Sequence, residues 1–232
     1  MSYIFGALET AGVFLQLLLL FYLLHGFVRK YSILFAYCLA KLITAIIEVL
    51  VVNQTGRSSP LFARVYWSDE LIMDLLLFLM VIWLTYRALE GNPARPAALK
   101  FLAAVLGTVL ILPFLIFRRP FTPRWFNETS QLLTFGGAIM NLALWTALIG
   151  TKKRDRQLLT VSAGLGIAVA GAAISYGVRQ WIGRWTPHGA PMWLIDTIIP
   201  ITDIVSVAVW CSAFRPAPKK AAVPPPDALP EH

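Results

Sequence analysis

Seven segments of about 20 mostly apolar residues succeed one another along this chain, parted by short joints rich in polar residues, proline or glycine. They run Tyr3–His25, Tyr31–Asn53, Tyr66–Tyr86, Ala98–Phe117, Asn127–Ile149, Gln157–Trp181 and Pro191–Phe214. At about 1.5 Å of rise per residue, each is long enough as a helix to cross the roughly 30 Å hydrocarbon layer of a bilayer. Composition points the same way: 58% of the 232 residues are hydrophobic and 14% are charged. A soluble domain carries about 25% charged residues, and one soluble core could not hide this much apolar surface. The expected fold is all-α, a polytopic membrane bundle of seven transmembrane helices. Residues 1–214 form that domain, and residues 215–232, with Pro216, Pro218, Pro224, Pro225, Pro226, Lys219 and Lys220, form a tail too poor in apolar mass to fold.

Basic residues set the expected orientation. No charge of either sign precedes Glu9, whereas Arg29 and Lys30 follow the first helix directly. A cleavable leader would carry its positive charges first, so this pattern predicts a retained helix with its N-terminus outside. Arg29, Lys30, Arg87, Arg95, Lys100, Lys152, Lys153, Arg154, Arg156, Arg215, Lys219 and Lys220 then face the cytoplasm. Arg57, Arg64, Arg118, Arg119, Arg124, Arg179 and Arg184 face outward, and Lys41 lies within the membrane. The C-terminus falls inside. The net charge of +8 is therefore read as topology, not as nucleic-acid binding.

Ionisable groups inside hydrocarbon are expensive and each asks for a partner or a function. In the proposed topology eight of the twelve acids, Glu9, Glu48, Asp69, Glu70, Asp74, Glu128, Asp196 and Asp203, fall in the outer half or the centre of the membrane. Glu70 and Asp74 are one turn apart on one face of the third helix. Asp196 and Asp203 are two turns apart on the seventh, with Pro200 between them. Lys41 and Glu48 have the same spacing on the second, with Thr44 on that face. Proline removes a backbone donor and frees a carbonyl, so Asp196, Thr197, Pro200, Thr202 and Asp203 describe a kinked helix lining a polar interior. Asn141 follows Gly136 and Gly137 on the fifth helix, and Arg179 at the outer end of the sixth can pair with Asp196 or with the acids of the third. Lys41, Glu48, Glu70, Asp74, Asn141, Arg179, Asp196 and Asp203 are thus the candidate ligand-binding residues. Three readings compete: internal ion pairs that fix packing, an outward-facing cavity for a cation or small ligand, and a proton-coupled carboxylate. Asp74 is expected to be structurally paired and Asp203, deeper beside Pro200, to be the protonatable group.

Other features carry less chemistry. The sixth helix has small residues at four-residue spacing, such as Gly164 with Ala168 and Gly171 with Ser175, which permit close packing inside the bundle or, alternatively, pairing with a second copy or a protein partner. The segment Phe117–Phe126 mixes arginine, aromatics and two prolines and reads as an interface anchor, with attraction of an anionic ligand or headgroup as its alternative. Cys38 and Cys211 lack metal-ligand spacing and read as small apolar residues. His25, His188 and His232 are scattered, and neither a Gly-x-Ser-x-Gly elbow nor a phosphate loop is present. An enzyme is not expected, nor a cofactor, a metal or nucleic acid; the lipid bilayer is the expected partner.

The segment Ala63-Arg64-Val65-Tyr66-Trp67-Ser68-Asp69 looks like the third helix of microbial rhodopsins, but the seventh helix has no lysine to hold retinal. Phe27-Val28-Arg29-Lys30-Tyr31-Ser32-Ile33-Leu34-Phe35-Ala36-Tyr37 and Tyr66-Trp67-Ser68-Asp69-Glu70 resemble instead a family of bacterial seven-helix membrane proteins with no assigned function. The resemblance covers mainly the first 90 residues and implies the architecture alone; a bacterial inner (plasma) membrane is the expected location. The functional expectation is a non-enzymatic membrane module (sensor, receptor-like or assembly protein) with an outward-facing acidic pocket. The alternative is a small transporter or channel for a cation or proton-coupled solute.

Overall fold

The computed structural model describes residues 2–56, 58–90, 95–116, 120–150, 155–185 and 192–215. It is all-helical: α1 (Ser2–Leu24), α2 (Ser32–Thr55), α3 (Pro60–Ala88), α4 (Arg95–Ile116), α5 (Pro123–Gly150), α6 (Arg156–Trp185) and α7 (Met192–Phe214). Five of these are long and apolar enough to cross a membrane: α2, α3, α4, the Arg156–Arg179 part of α6 and the Thr197–Phe214 part of α7. Residues 215–232, the predicted tail, lie outside the described residues apart from Arg215.

Local chemistry explains where helices start. Pro60 and Pro123 open α3 and α5, at a position where the missing N–H costs nothing. The preceding Ser59 and Thr122 hydroxyls accept from Phe62 N at 3.0 Å and Trp125 N at 3.3 Å. Both helices therefore begin about a turn or more before the predicted Tyr66 and Asn127. Asp155 caps α6, its Oδ1 accepting from Gln157 N at 3.0 Å and Leu158 N at 3.2 Å. Pro113 and Pro200 sit inside α4 and α7, which run through them.

Helices α1, α2, α3, α6 and α7 form a ring in which each touches its neighbours, α7 closing back on α1. α5 packs outside the ring in the groove of α3 and α6, and α4 leans on α5 and the edge of α3. The closest pair is α6 with α7, and glycines make it so. A Cβ on Gly164 would come within 2.5 Å of the Trp210 indole nitrogen, and one on Gly171 would overlap the Thr202 side chain. Gly166 instead faces Asn141 of α5. The small residues of α6 are thus spent inside the bundle. The outward faces are apolar: Leu115 and Ile149 are 75% and 76% exposed, with Phe14, Leu50 and Ile139 also uncovered. An apolar belt of this extent suits lipid and not water.

The two ends differ. At one end Lys30 donates to Gln157 Oε1 at 2.9 Å and lies 3.7 Å from Asp155, while Arg87 donates to the Lys30 carbonyl at 2.7 Å. The Arg87 guanidinium stands 5.3 Å over both the Tyr31 and Trp83 rings. This basic end ties the α1–α2 turn to α3 and α6. The opposite, acidic end carries the carboxylates of α3. Phe121 and Trp125 stack on Phe114 with ring centroids 6.2 and 5.2 Å away, which fastens α4 to α5 away from the centre of the ring.

Candidate functional site

Each of four ring helices turns a pair of residues one turn apart toward the same space: Tyr37 and Lys41 on α2, Glu70 and Asp74 on α3, Ala172 and Tyr176 on α6, Ile199 and Asp203 on α7. With Met73, Leu77, Ala168 and Thr202 they enclose a cavity of about 160 Å³. It exists because the small residues at 168 and 172 leave room that Leu or Phe would fill.

Lys41 and Asp203 form an ion pair across the cavity, the lysine nitrogen also lying 5.8 Å from the centre of the Tyr37 ring. Tyr176 donates its hydroxyl to Glu70 Oε1, and Arg179 is near enough for its charge to act on Glu70. Asp74 lies against the Ser130 and Thr134 hydroxyls of α5. Thr134 sends its own proton to the Ser130 carbonyl at 2.7 Å. Two acceptors are left over: Glu70 Oε2 and Asp74 Oδ2 are buried without a hydrogen-bond partner. Asp69, beside the Thr44 hydroxyl, adds a further carboxylate just outside the lining. The wall thus holds three carboxylates and one ammonium, and that ammonium is committed to Asp203. A void of about 10 Å³ continues behind Asp74 toward Thr134 and Gly137, room for a single water.

Toward the basic end the cavity stops. Phe78, Val81 and Leu84 of α3 meet Leu34 and Cys38 of α2, Val161 and Leu165 of α6, and Val207 and Trp210 of α7, all buried. The polar groups among them are already used: Thr85 donates to Val81 O at 2.8 Å, Ser206 to Gly164 O at 2.7 Å, and Trp210 Nε1 to Val161 O at 2.9 Å. Gln16 of α1 closes the flank by donating to the Cys38 carbonyl at 2.6 Å. From Leu77 to Ala88 this dry floor is about three helical turns thick.

Of the predicted site residues, Lys41, Glu70, Asp74 and Asp203 come together in one cavity. Arg179 is half-buried beside it at the acidic end. Glu48 is half-buried farther along α2 and outside the lining, because the helical repeat carries it past the cavity mouth. Asn141 is buried elsewhere, between α5 and Gly166 of α6. The Asp196 side chain lies outside the described residues. The partners of two acids differ from those expected: Asp203 has a cation, whereas Asp74 has only neutral hydroxyls. The reason is topological, since only the ring closure brings α7 opposite Lys41. Tyr176, Ser130 and Thr134 are site residues that sequence reasoning missed. Tyr176 had a signal, being the one large polar side chain at four-residue spacing from Ala172 and Ala168. Among the described residues no group of three His, Cys, Asp or Glu could hold a metal ion. No protein-family model, curated protein or solved structure matches the chain.

Proposed function

We propose that this chain is a ligand-sensing module of a bacterial inner membrane, a multi-pass protein whose seven helices all cross the bilayer. Its N-terminus is outside, its C-terminus is inside, and the acidic cavity faces outward. Helices α1 and α5, of 23 and 28 residues, have the length to span alongside the five named above. Lys30 and Arg87 at one end, with Lys30 beside Asp155 and basic residues flanking Asp155 in sequence, support the orientation.

One observation carries the functional reading: the cavity holds two carboxylates, Glu70 and Asp74, each with a buried oxygen that has no hydrogen-bond partner, and it ends on a dry floor. A carrier or channel needs polar access from both faces. Toward the basic end the Thr85 and Ser206 hydroxyls are instead consumed by backbone carbonyls. Binding from one side, with the signal passed to a protein partner or a second copy through the helices, suits such a cavity. The proton- or cation-coupled transporter remains as a second reading because Pro200 interrupts the hydrogen-bond ladder of α7 within one turn of Asp203, where a hinge would have its effect.

Reconstitution in sealed vesicles separates the two. A sensing module binds a cavity ligand saturably and leaves the vesicle interior at its starting pH and solute content. Ligand-dependent uptake or a proton flux that disappears in Asp203→Asn would make it a transporter.

A further inference from the structure

We infer that the cavity takes a compact primary ammonium ion with a short apolar body, held between Glu70 and Asp74. This deepens the outward-facing binding reading and rests on it.

Charge comes first. With Lys41 engaged by Asp203, the Glu70 and Asp74 carboxylates face the cavity without a cation in its lining, although Arg179 acts on Glu70 from outside it. Asp74 is 9% exposed and its Oδ2 has no donor; Glu70 Oε2 is in the same position. An open carboxylate oxygen calls for a donor, and a positive donor would itself hold the carboxylates in their ionised, accepting form.

Geometry narrows the donor. The open oxygens belong to two carboxylates one turn apart on α3. The other side of each is already taken, by Tyr176 on Glu70 and by the Ser130 hydroxyl on Asp74. A guanidinium fork matches both oxygens of a single carboxylate, which are not both available here. An ammonium has three rotatable donors and can serve two separate acceptors. A quaternary nitrogen has none to give. Among the described residues the carboxylates also fail to group as metal ligands.

Size and polarity set the rest of the ligand. Met73, Leu77, Ala168, Ala172 and Ile199 give the remaining wall an apolar character. A cavity of about 150 Å³ is known to take a benzene-sized guest, so this one, of about 160 Å³, fits about six non-hydrogen atoms. Pentylammonium meets both requirements.

The test measures thermal unfolding of the full chain in detergent with pentylammonium, pentanol, pentanoate and pentyltrimethylammonium. A ligand that binds only the folded state raises the midpoint with concentration. Pentylammonium is expected to do so, and the other three to act at least about tenfold more weakly, the loss of a charged hydrogen bond. Glu70→Gln and Asp74→Asn should each weaken the response by about the same factor. Ala172→Leu, which fills the cavity and leaves every charge in place, should remove it, so the result does not hang on an acid variant that fails to fold. Equal stabilisation by pentanol or the trimethyl compound, no response in the wild type, or a response that survives Ala172→Leu would overturn the ammonium assignment. If pentanoate or pentanol alone stabilises and Ala172→Leu abolishes that effect, the ammonium class falls while ligand binding in the cavity stands. If no probe binds and a membrane-impermeant thiol reagent outside the cell cannot reach Met73→Cys, both fall; if it can, only the ammonium assignment does.

Discussion

Lys41 of α2 and Asp203 of α7 pair across a gap that their helices do not close: among the described residues, no Cα of α2 lies within 8 Å of a Cα of α7. Two aromatic bridges follow this pair toward the basic end, the second from Tyr31 at the N-cap of α2. Below it the Tyr37 and Trp210 rings meet edge-on with centroids 5.8 Å apart, and below those Tyr31 meets Phe214 at 5.0 Å. Bridging by side chains, with the backbones held apart, is what leaves the cavity open.

Breaking the pair on one side should therefore cost more than removing it. The lysine and aspartate side chains keep 28% and 23% of their exposure, so the cost lies between a surface pair and a fully buried one, about 1–3 kcal/mol for Lys41→Met or Asp203→Asn alone. The double variant should recover about 1 kcal/mol or more of the summed loss, as contacting groups do. Unfolding free energies of the four proteins complete the cycle; strictly additive losses would mean that the two charges do not interact.

Asp74 should behave differently. Asparagine keeps an acceptor for the Ser130 hydroxyl and loses no ion pair, so Asp74→Asn should change stability by about 1 kcal/mol or less. Asp74→Leu strands the hydroxyl and should cost about 1–3 kcal/mol. A loss on Asp74→Asn as large as that on Asp203→Asn would mean that Asp74 also has a cation partner.

Gly171 sets the approach of α6 to α7. Its substitution by alanine forces the new methyl into the Thr202 side chain and should destabilise by about 1–3 kcal/mol, the usual penalty of overpacking. Thr202→Ala should restore most of that loss in the double variant. Thermal melts of the three proteins suffice; an undisturbed Gly171→Ala would show that the helices sit farther apart.

Much of this was legible in sequence because hydropathy and length report on single helices. Predicted and observed ends agree within about a turn for α1, α2, α4, α6 and α7. The late predicted starts of α3 and α5 came from treating Ser59-Pro60 and Thr122-Pro123 as joint residues when they are a cap followed by the first helical residue. Which acids share a space was partly legible, since Glu70 with Asp74 is a matter of periodicity within α3. Which acid meets Lys41 was not. That depends on α7 returning to α1 and closing the ring, a relation between segments more than 160 positions apart in sequence. Asn141 misled for the same reason: a polar residue in an apolar helix faces some neighbour, and the neighbour proved to be Gly166 and not the cavity.

Orientation is open to direct labelling. Single cysteines replacing Ser58 and Pro120 should react with an impermeant thiol reagent on intact cells. Those replacing Lys153 and Lys219 should react only after permeabilisation. Labelling at 153 or 219 in sealed cells would reverse the topology.

The central claim is a cavity reached from outside and sealed below. In a background with Cys38 and Cys211 replaced by alanine, cysteines are placed along α3 at Met73, which lines the cavity, and at Val81, which is fully buried in the floor. The impermeant reagent is applied to intact cells and, separately, to inverted membrane vesicles. The account predicts modification of the position-73 cysteine from outside only and of the position-81 cysteine from neither side. Modification at position 81, or at position 73 from the cytoplasmic side alone, would contradict it.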